Sequence, residues 1–173
     1  MARADYHKVV IGRSESMTFV DFEGLEDVPA KTDTGAYRSA VHASNIHLDE
    51  KTGVLSFDLL GGHPVCGAMK HRVETKEFSK VWVENSFGHR EDRYEVKMRV
   101  KLGPKVFTAR FSLADRSKKI YPILLGRKLL NNRFLIDPAA SSLNRVELKQ
   151  KYGIDFPKDE EEGRYEDSDS VER

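Results

Sequence analysis

Two stretches of apolar–polar alternation lie in the middle of the 173-residue chain, on either side of a turn signal. From Tyr94 to Leu102 every second residue is apolar and the residues between are charged; Gly103-Pro104 follows, and the alternation resumes from Phe107 to Leu113. A period of two residues is typical of a strand with one buried face, and Gly-Pro is a common turn pair. The segment therefore predicts an antiparallel β-hairpin.

Shorter apolar runs separated by turn residues indicate further strands, which favours a barrel or a sandwich. Helical periodicity is sparse and predicts one short helix at Arg127–Asn132 and a second from Ser142 to Tyr152. The additional strands are predicted at Lys8–Ile11, Met17–Phe22, Val54–Leu60, Val65–Met69, Val73–Phe78 and Val81–Glu84.

Composition bounds the class of protein. No run approaches the roughly 18 apolar residues of a membrane helix, and the N-terminus lacks the apolar stretch of a signal peptide. A single cysteine, Cys66, excludes an internal disulfide, so we expect a cytoplasmic protein. Residues 158–173 hold eight acidic and three basic residues, a net −5, which leaves +6 on residues 1–157 because the whole chain carries +1. We expect one domain over residues 1–156 and a disordered acidic tail over residues 157–173.

The candidate chemical group is Asp33, in the run Asp33-Thr34-Gly35-Ala36. Gly35 permits a sharp turn, the hydroxyl of Thr34 can tie the loop, and Asp33 would then lie at a loop tip on a sheet, where catalytic groups are often found. By itself Asp-Thr-Gly is also an ordinary turn sequence.

The interpretation of Asp33 depends on a second motif downstream. Ile120–Arg127 follows the predicted hairpin as an apolar strand that ends in Gly126-Arg127 before a short helix. An Asp-Thr-Gly-Ala loop, a flap, a hairpin and then two apolar residues with Gly-Arg resemble the retropepsins in order and spacing. The resemblance implies a closed β-barrel and an aspartic peptidase, with Asp33, Thr34 and Gly35 as catalytic residues and Gly126 and Arg127 as structural ones.

A closer resemblance, over residues 8–143, is to a bacterial family of small retropepsin-like proteins that are often associated with RimK-type glutamate ligases. The motifs that carry it are Ala30–Ala36 with Ser39–Ala43, Glu91–Tyr94, Tyr121–Arg127 and Phe134–Asp137. That family has been labelled ATP-dependent zinc proteases. This sequence contains neither a Gly-x-x-x-x-Gly-Lys-Ser/Thr phosphate loop nor a His-Glu-x-x-His helix, so we expect no ATP, no catalytic zinc and no other cofactor.

Aspartic peptidases need two carboxylates that share one proton. Only Asp33 is followed by Thr-Gly here, so the resemblance implies a homodimer in which each copy supplies one Asp33. Ala36 replaces the hydroxyl residue found in many pepsin-like enzymes. Without that hydroxyl donor to favour the ionised form, we expect activity nearer neutral pH.

The resemblance also requires a flap over the substrate, and the segment Glu84–Arg90 is the candidate, although it also reads as an ordinary hairpin loop. The resemblance implies that Arg127 forms an ion pair near the active site, with a partner that the sequence leaves open. The candidate substrate-binding residues are Ala36, Ser39, Ser86, Gly88, Arg90 and Arg93.

The ligase association suggests a peptide or protein substrate that is acidic or glutamylated, which a basic body would attract. Glu160-Glu161-Glu162 in the tail could imitate such a substrate. Candidate basic contacts are Arg38, Lys70, Arg72, Arg90 and Arg93, although each is also an ordinary surface charge.

Three other functions compete with peptide hydrolysis. His63, Cys66 and His71 have a spacing that suggests a metal site, but the sequence repeats no tight ligand motif. A barrel of this kind could bind peptides without cutting them. Nucleic-acid binding has little support, because there is no basic stripe interleaved with aromatic residues, and we expect neither a nucleic-acid nor a membrane partner.

Overall fold

The computed structural model describes residues 7–84, 87–141 and 145–153. Residues 85 and 86 of the predicted flap, among them the candidate contact Ser86, and the predicted tail over residues 157–173 therefore lie outside the described residues. In chain order the elements are β1 (Val9–Ile11), β2 (Ser14–Phe19), β3 (Val28–Thr32), β4 (Ser39–Asp49), β5 (Val54–Leu59), β6 (His71–Thr75), β7 (Ser79–Glu84), β8 (Arg90–Leu102), β9 (Lys105–Ala114), β10 (Ile123–Leu125), α1 (Arg127–Leu130), β11 (Phe134–Ile136) and α2 (Arg145–Tyr152).

The hairpin predicted from the alternation is confirmed as β8 and β9. The two strands pair in antiparallel register from Glu95 opposite Ser112 to Leu102 opposite Lys105, around a turn in which Gly103 has a positive φ of 57°. Val96, Met98, Val100 and Leu102 are buried, whereas Lys97 and Arg99 are exposed. The period-2 pattern therefore divides the core face from the solvent face.

Six strands close into a barrel. They neighbour one another in the order β10-β3-β2-β8-β9-β4, and β10 then pairs with β4 to complete the ring. The short strand β10 is parallel to β3 and antiparallel to β4. This architecture confirms the predicted all-β, retropepsin-like closed barrel with two short helices.

The remaining strands surround the barrel. β5 and β6 continue the sheet outward from β4, β7 pairs with the N-terminal half of β8, and β1 pairs in parallel with β11 as a separate two-stranded sheet. On that small sheet Val10 lies opposite Leu135, and their exposed fractions are 61% and 46%. The pair leaves apolar surface on the outside of the fold.

The core is one apolar cluster inside the barrel. The rings of Phe19 on β2 and Phe111 on β9 meet edge to face with centroids 6.1 Å apart, and both side chains are fully buried. A smaller cluster forms where Leu148 of α2 packs against Ile120 and Tyr121. No helix among the described residues is long and apolar enough to cross a membrane.

Three local predictions need correction. Val65–Met69, predicted as a strand, is a run of turns in which the amide of Cys66 donates to the carbonyl of His63 and the amide of Met69 donates to that of Cys66. β2 starts and ends three residues earlier than predicted. The strand β4 was missed because its first five residues are all buried, so no alternation marks them.

Candidate active site

The backbone around Asp33 orients its carboxylate. The amide of Asp33 donates to the carbonyl of Leu125 at 2.9 Å, which continues the pairing of β3 with β10 beyond Thr32. Its Oδ1 accepts hydrogen bonds from the amides of Gly35, at 2.9 Å, and Ala36, at 3.2 Å. No described residue donates to Oδ2, so half of the carboxylate remains open to a substrate, a water molecule or a second carboxylate.

Arg127 holds the same loop from the other side. Its Nη1 donates to the carbonyl oxygens of Thr34, at 2.9 Å, and Gly35, at 2.8 Å, and its own amide donates to the carbonyl of Ala36. No described carboxylate lies within ion-pairing distance of the guanidinium. Among the described residues the expected ion pair does not form, and backbone carbonyls take the place of an acidic partner.

Gly126 and Ser39 fix the junction between β10 and α1. A Cβ atom on Gly126 would lie 2.5 Å from the carbonyl oxygen of Arg38, so only glycine fits. The amide of Gly126 donates to the hydroxyl of Ser39 at 3.0 Å. Ser39 is only 1% exposed, which corrects its prediction as a substrate-binding residue: its hydroxyl supports the loop from within the fold.

Thr34 does not tie the loop in the way the sequence suggested. The side chain is exposed, and its hydroxyl has no hydrogen-bond partner among the described residues, because the carboxylate of Asp33 caps the turn instead. The Thr34 hydroxyl therefore remains available outside its own chain.

The predicted flap forms the connection between β7 and β8. Glu84 pairs with Arg90 at the last register position, and Gly88 has a positive φ of 77°. The guanidinium of Arg90 lies 5.0 Å from the ring centroid of Trp82. The structure gives no contact between this hairpin and the Asp33 loop among the described residues, so its role as a flap stays a prediction.

Arg93 faces a different part of the molecule. It donates to Glu91 at 2.9 Å and lines a cavity of about 620 Å³ between β4 and β8, together with His42, Ser44 and Asp115. Asp33 does not line this cavity. Arg93 and Asp33 therefore do not line the same cavity, and the role of Arg93 in substrate binding stays a prediction.

Comparison with known proteins assigns the family. A family model described as "Retropepsin-like aspartic endopeptidase RimB" matches residues 10–147, which include the Asp33 loop, the β8–β9 hairpin and the Gly126-Arg127 junction. The chain belongs to the RimB-like family. This membership confirms the resemblance found in the sequence.

The relatives of this RimB-like chain include longer proteins. It is 32% identical over 156 residues to a protein of Shewanella halifaxensis named "Probable alpha-L-glutamate ligase", covering 86% of this chain and 33% of the relative. A protein of Desulfotalea psychrophila with the same name is 29% identical over 160 residues, with 90% and 34% covered. The chain thus spans about a third of the length of the curated relatives it matches.

A solved structure shares the fold. The crystal structure of Lpg0085 from Legionella pneumophila, a protein described as having unknown function, is 31% identical to this RimB-like chain and superposes with a TM-score of 0.59. The match covers 76% of this chain and 95% of Lpg0085.

Two buried histidines of this RimB-like chain pack against each other. The ring centroids of His42 and His63 are 5.1 Å apart. The amide of Arg116 donates to Nδ1 of His42, and Nε2 of His42 lies 2.9 Å from the carbonyl oxygen of Gly61. The Nδ1 atom of His63 accepts from the amide of Val65, and its Nε2 lies 3.0 Å from the carbonyl of Lys119. Burial, with a smaller contribution from His42, lowers the pKa of His63 to about 4.

This geometry does not bring together the residues of the alternative metal site, His63, Cys66 and His71. Both ring nitrogens of His63 are engaged by the backbone, and burial raises the pKa of the Cys66 thiol to about 12, which disfavours the thiolate a metal needs. His71 instead packs on the ring of Phe22, with centroids 4.7 Å apart. No group of three or more potential ligands occurs in the described part of the chain.

Sequence reasoning missed two features of the RimB-like loop. The hydroxyl of Ser39 and the double carbonyl contact of Arg127 both act on backbone groups, which carry no residue-specific signal. The one available clue was Ser39, six residues after the candidate catalytic aspartate, because a serine hydroxyl that becomes buried requires a hydrogen-bond partner.

Proposed function

We propose that this chain is an aspartic peptidase that acts as a homodimer, with one Asp33 from each copy. The observation that carries the proposal is the half-occupied carboxylate of Asp33: Oδ1 is held by the amides of Gly35 and Ala36, and Oδ2 is open to groups outside the described residues. A single Asp33 carboxylate lacks the second carboxylate with which it must share a proton in this chemistry, and a second copy of the chain supplies that carboxylate.

In the proposed reaction the two carboxylates share one proton. The ionised Asp33 removes a proton from a bound water, whose oxygen attacks the scissile carbonyl, while the protonated Asp33 of the other copy donates its proton to the carbonyl oxygen. The Asp33 that accepted the water proton then donates it to the amine as the carbon–nitrogen bond breaks, while the other Asp33 takes a proton from a hydroxyl of the tetrahedral intermediate, which restores the shared proton of the dyad. No cofactor takes part in this scheme.

Two observations favour an acidic or glutamylated peptide or protein as the substrate. The relatives that match most of this chain are named for glutamate ligation, the reaction that forms such chains. The net charge of +6 over residues 1–157 also attracts acidic peptides. We further propose that the enzyme works in a bacterial cytoplasm, where its single cysteine remains a thiol.

The test compares the wild type with Asp33→Asn, which keeps the size of the side chain and an oxygen for the amides of Gly35 and Ala36. Both proteins are incubated with an oligoglutamyl peptide and with a neutral peptide of equal length, and products are read by mass spectrometry. We expect cleavage by the wild type alone, with the oligoglutamyl peptide cut faster. Equal cleavage by Asp33→Asn, or none by either protein, would overturn the proposal.

One observation favours a second function, peptide binding without hydrolysis. The matched part is only about a third of each ligase relative, so a domain of this kind can accompany a different catalytic unit. Binding of the oligoglutamyl peptide by a wild-type protein that releases no product at any concentration would support this alternative.

A further inference from the structure

A basic pocket lies on the outer face of the barrel, beside α1. Lys97, Arg110, Lys128 and Arg133 line a cavity of about 380 Å³ together with the hydroxyl residue Thr108, and Ala109 and Leu129 complete the lining. No acidic residue belongs to this lining. Its shape and charge suit a small anionic group.

Two of these cations lie opposite each other on neighbouring strands. Lys97 and Arg110 are direct cross-strand neighbours on β8 and β9, and both are exposed. Like charges at such positions destabilise a sheet. The next outward residue, Arg99, is by contrast paired with Asp21 at 2.8 Å, whereas Lys97 has no ion pair or hydrogen bond with the described residues.

The other charges around the pocket are already committed. Glu95, the nearest buried carboxylate, accepts from Arg38 at 2.8 Å and lies 3.9 Å from Arg110. Arg133 donates to the carbonyl of Leu129 and stacks 4.6 Å from the ring centroid of Phe107, so its position is fixed. The ammonium of Lys128 lies 5.9 Å from the ring centroid of Tyr37. The pocket therefore offers two ammonium groups, those of Lys97 and Lys128, without acidic partners among the described residues.

Four of the five cations first expected to contact an acidic substrate are already paired with carboxylates, and Lys70 is the exception among the described residues. Carboxylates lie 2.8 Å from Arg38, 3.2 Å from Arg72, 3.4 Å from Arg90 and 2.9 Å from Arg93. An incoming carboxylate would have to compete with each of these pairs. Lys97 and Lys128 present no such competition.

We propose that this basic pocket binds the side-chain carboxylates of an acidic peptide, as a second contact site outside the catalytic loop. It adjoins that loop through α1, because the amide of Lys128 donates to the carbonyl of Tyr37 and the preceding residue, Arg127, holds Thr34 and Gly35. A glutamate-rich segment can therefore lie across the pocket while a neighbouring part of the same peptide reaches Asp33. As a role in cleavage, this rests on the proposed peptidase function; as a binding site, it does not.

A peptide is favoured over a nucleic acid because no aromatic residue lines the pocket. Single-stranded nucleic acids gain much of their affinity from bases stacked on aromatic side chains. Carboxylates need only hydrogen-bond donors and positive charge, which lysine, arginine and threonine supply.

The test measures binding of a fluorescein-labelled peptide of ten glutamates to the Asp33→Asn protein, in which cleavage does not interfere. Lys97→Gln/Lys128→Gln in that background removes two charges from the pocket, and Lys51→Gln/Lys76→Gln removes two exposed charges elsewhere. We expect the pocket variant to raise Kd about tenfold, and the control to change it less than about twofold. Unfolding midpoints in urea establish that both variants are folded.

Equal losses in the two variants would overturn the proposal, since they would reflect net charge alone. A ten-nucleotide single-stranded DNA that binds as tightly as the peptide and responds equally to Lys97→Gln/Lys128→Gln would also overturn it, in favour of a nucleic-acid surface. The two proposals fail separately. If Lys97→Gln/Lys128→Gln made in the wild-type background cleaves the peptide with an unchanged KM, the pocket has no role in cleavage. Tight binding of the peptide without cleavage by the wild type would overturn the peptidase function alone.

Discussion

The guanidinium of Arg127 donates to the carbonyl oxygen of Gly35 at 2.8 Å across 92 positions of the sequence. The same Nη1 reaches Thr34, so one side chain fixes two successive peptide groups of the loop that orients Asp33. The orientation of the Asp33 carboxylate is therefore fixed twice: by the hydrogen bonds within its own turn and by the contacts of this distant arginine with the loop.

Replacing Arg127 by lysine tests this role. The substituted side chain would keep the charge but cannot reach both carbonyls with the planar guanidinium geometry, so we expect the free energy of unfolding to fall by about 1 kcal/mol. Amide hydrogen exchange at Gly35 and Ala36 should become faster, and kcat for the oligoglutamyl peptide should fall more than KM rises. Arg99→Lys, remote from the loop, is the control; equal exchange rates in both variants would contradict the prediction.

Gly126→Ala should destabilise the protein through a steric clash. The new Cβ would lie 2.5 Å from the carbonyl oxygen of Arg38, a backbone atom that cannot rotate away, so we expect a loss of about 2 kcal/mol in urea unfolding. Gly53→Ala, in a turn with a positive φ of 71° and no atoms within 4 Å of the new Cβ, should lose about 1 kcal/mol from backbone strain alone. A larger loss at Gly53 than at Gly126 would contradict the clash.

Ser39→Ala separates a supporting residue from a substrate-binding one. The buried amide of Gly126 would lose its acceptor, at a cost of about 2 kcal/mol in the free energy of unfolding. Because Ser39 is buried, KM for the oligoglutamyl peptide should stay close to the wild-type value. Unchanged stability with a raised KM would restore Ser39 as a substrate contact.

His63 should make the fold sensitive to acid. Its pKa of about 4 in the folded protein lies below the ordinary 6.5, so the unfolded chain binds the proton first. The stability that depends on neutral His63 is complete above about pH 6.5 and declines as the pH falls towards 4, by up to about 3 kcal/mol.

The measurement is urea unfolding at several values of pH between about 7.5 and 4, the window set by the two pKa values. His63→Asn should flatten the decline in that window, whereas His47→Asn, at an exposed position on β4, should follow the wild type. Hydrogen bonds hold the pKa of Asp49 and of Asp115 below the usual range for aspartate. Their contributions to the free energy of unfolding are therefore lost only at lower pH, outside the range used for His63. Parallel curves for the wild type and His63→Asn would contradict the prediction.

Leu135→Glu tests whether the apolar surface of the β1–β11 sheet forms the interface of the proposed homodimer. Val10 and Leu135 leave apolar surface on the β1–β11 sheet, where a buried glutamate would be costly, so we expect the dimer dissociation constant to rise about tenfold or more. Sedimentation velocity over a range of concentrations measures this, and peptide cleavage should fall in parallel. Val106→Glu, at a position that is 54% exposed on β9, should change neither; dissociation of both variants to the same extent would argue against this sheet as the interface.

The sequence predicted the parts of the fold that solvent divides into two faces. Alternation from Tyr94 to Leu102 revealed β8 because its outer residues are charged, whereas β4 begins with five buried residues and shows no such contrast. Val65 and Cys66 are as apolar as strand residues, yet turns bury them. An apolar residue indicates burial, but only the spacing of apolar residues along the chain indicates whether the element is a strand, a helix or a turn.

The candidate site divides in a similar way. Asp33 and Gly126 could be singled out as candidates because their two motifs occur in the order and spacing of the retropepsins. The partners of Arg127 were not, because carbonyl groups occur at every residue and only the folded path selects Thr34 and Gly35. The basic pocket joins residues of β8, β9 and α1 that no sequence motif groups together.

The closing of the barrel by β10 also has a consequence for biosynthesis. Thr34 leaves the ribosome 93 residues before Arg127, and at a translation rate of about 5–20 residues per second that interval lasts roughly 5–20 s. Throughout it the loop of Asp33 lacks both β10 and its arginine. A nascent chain therefore carries the candidate catalytic carboxylate in a loop that lacks these contacts, and the timing of synthesis delays the ordering of that loop until the barrel can close.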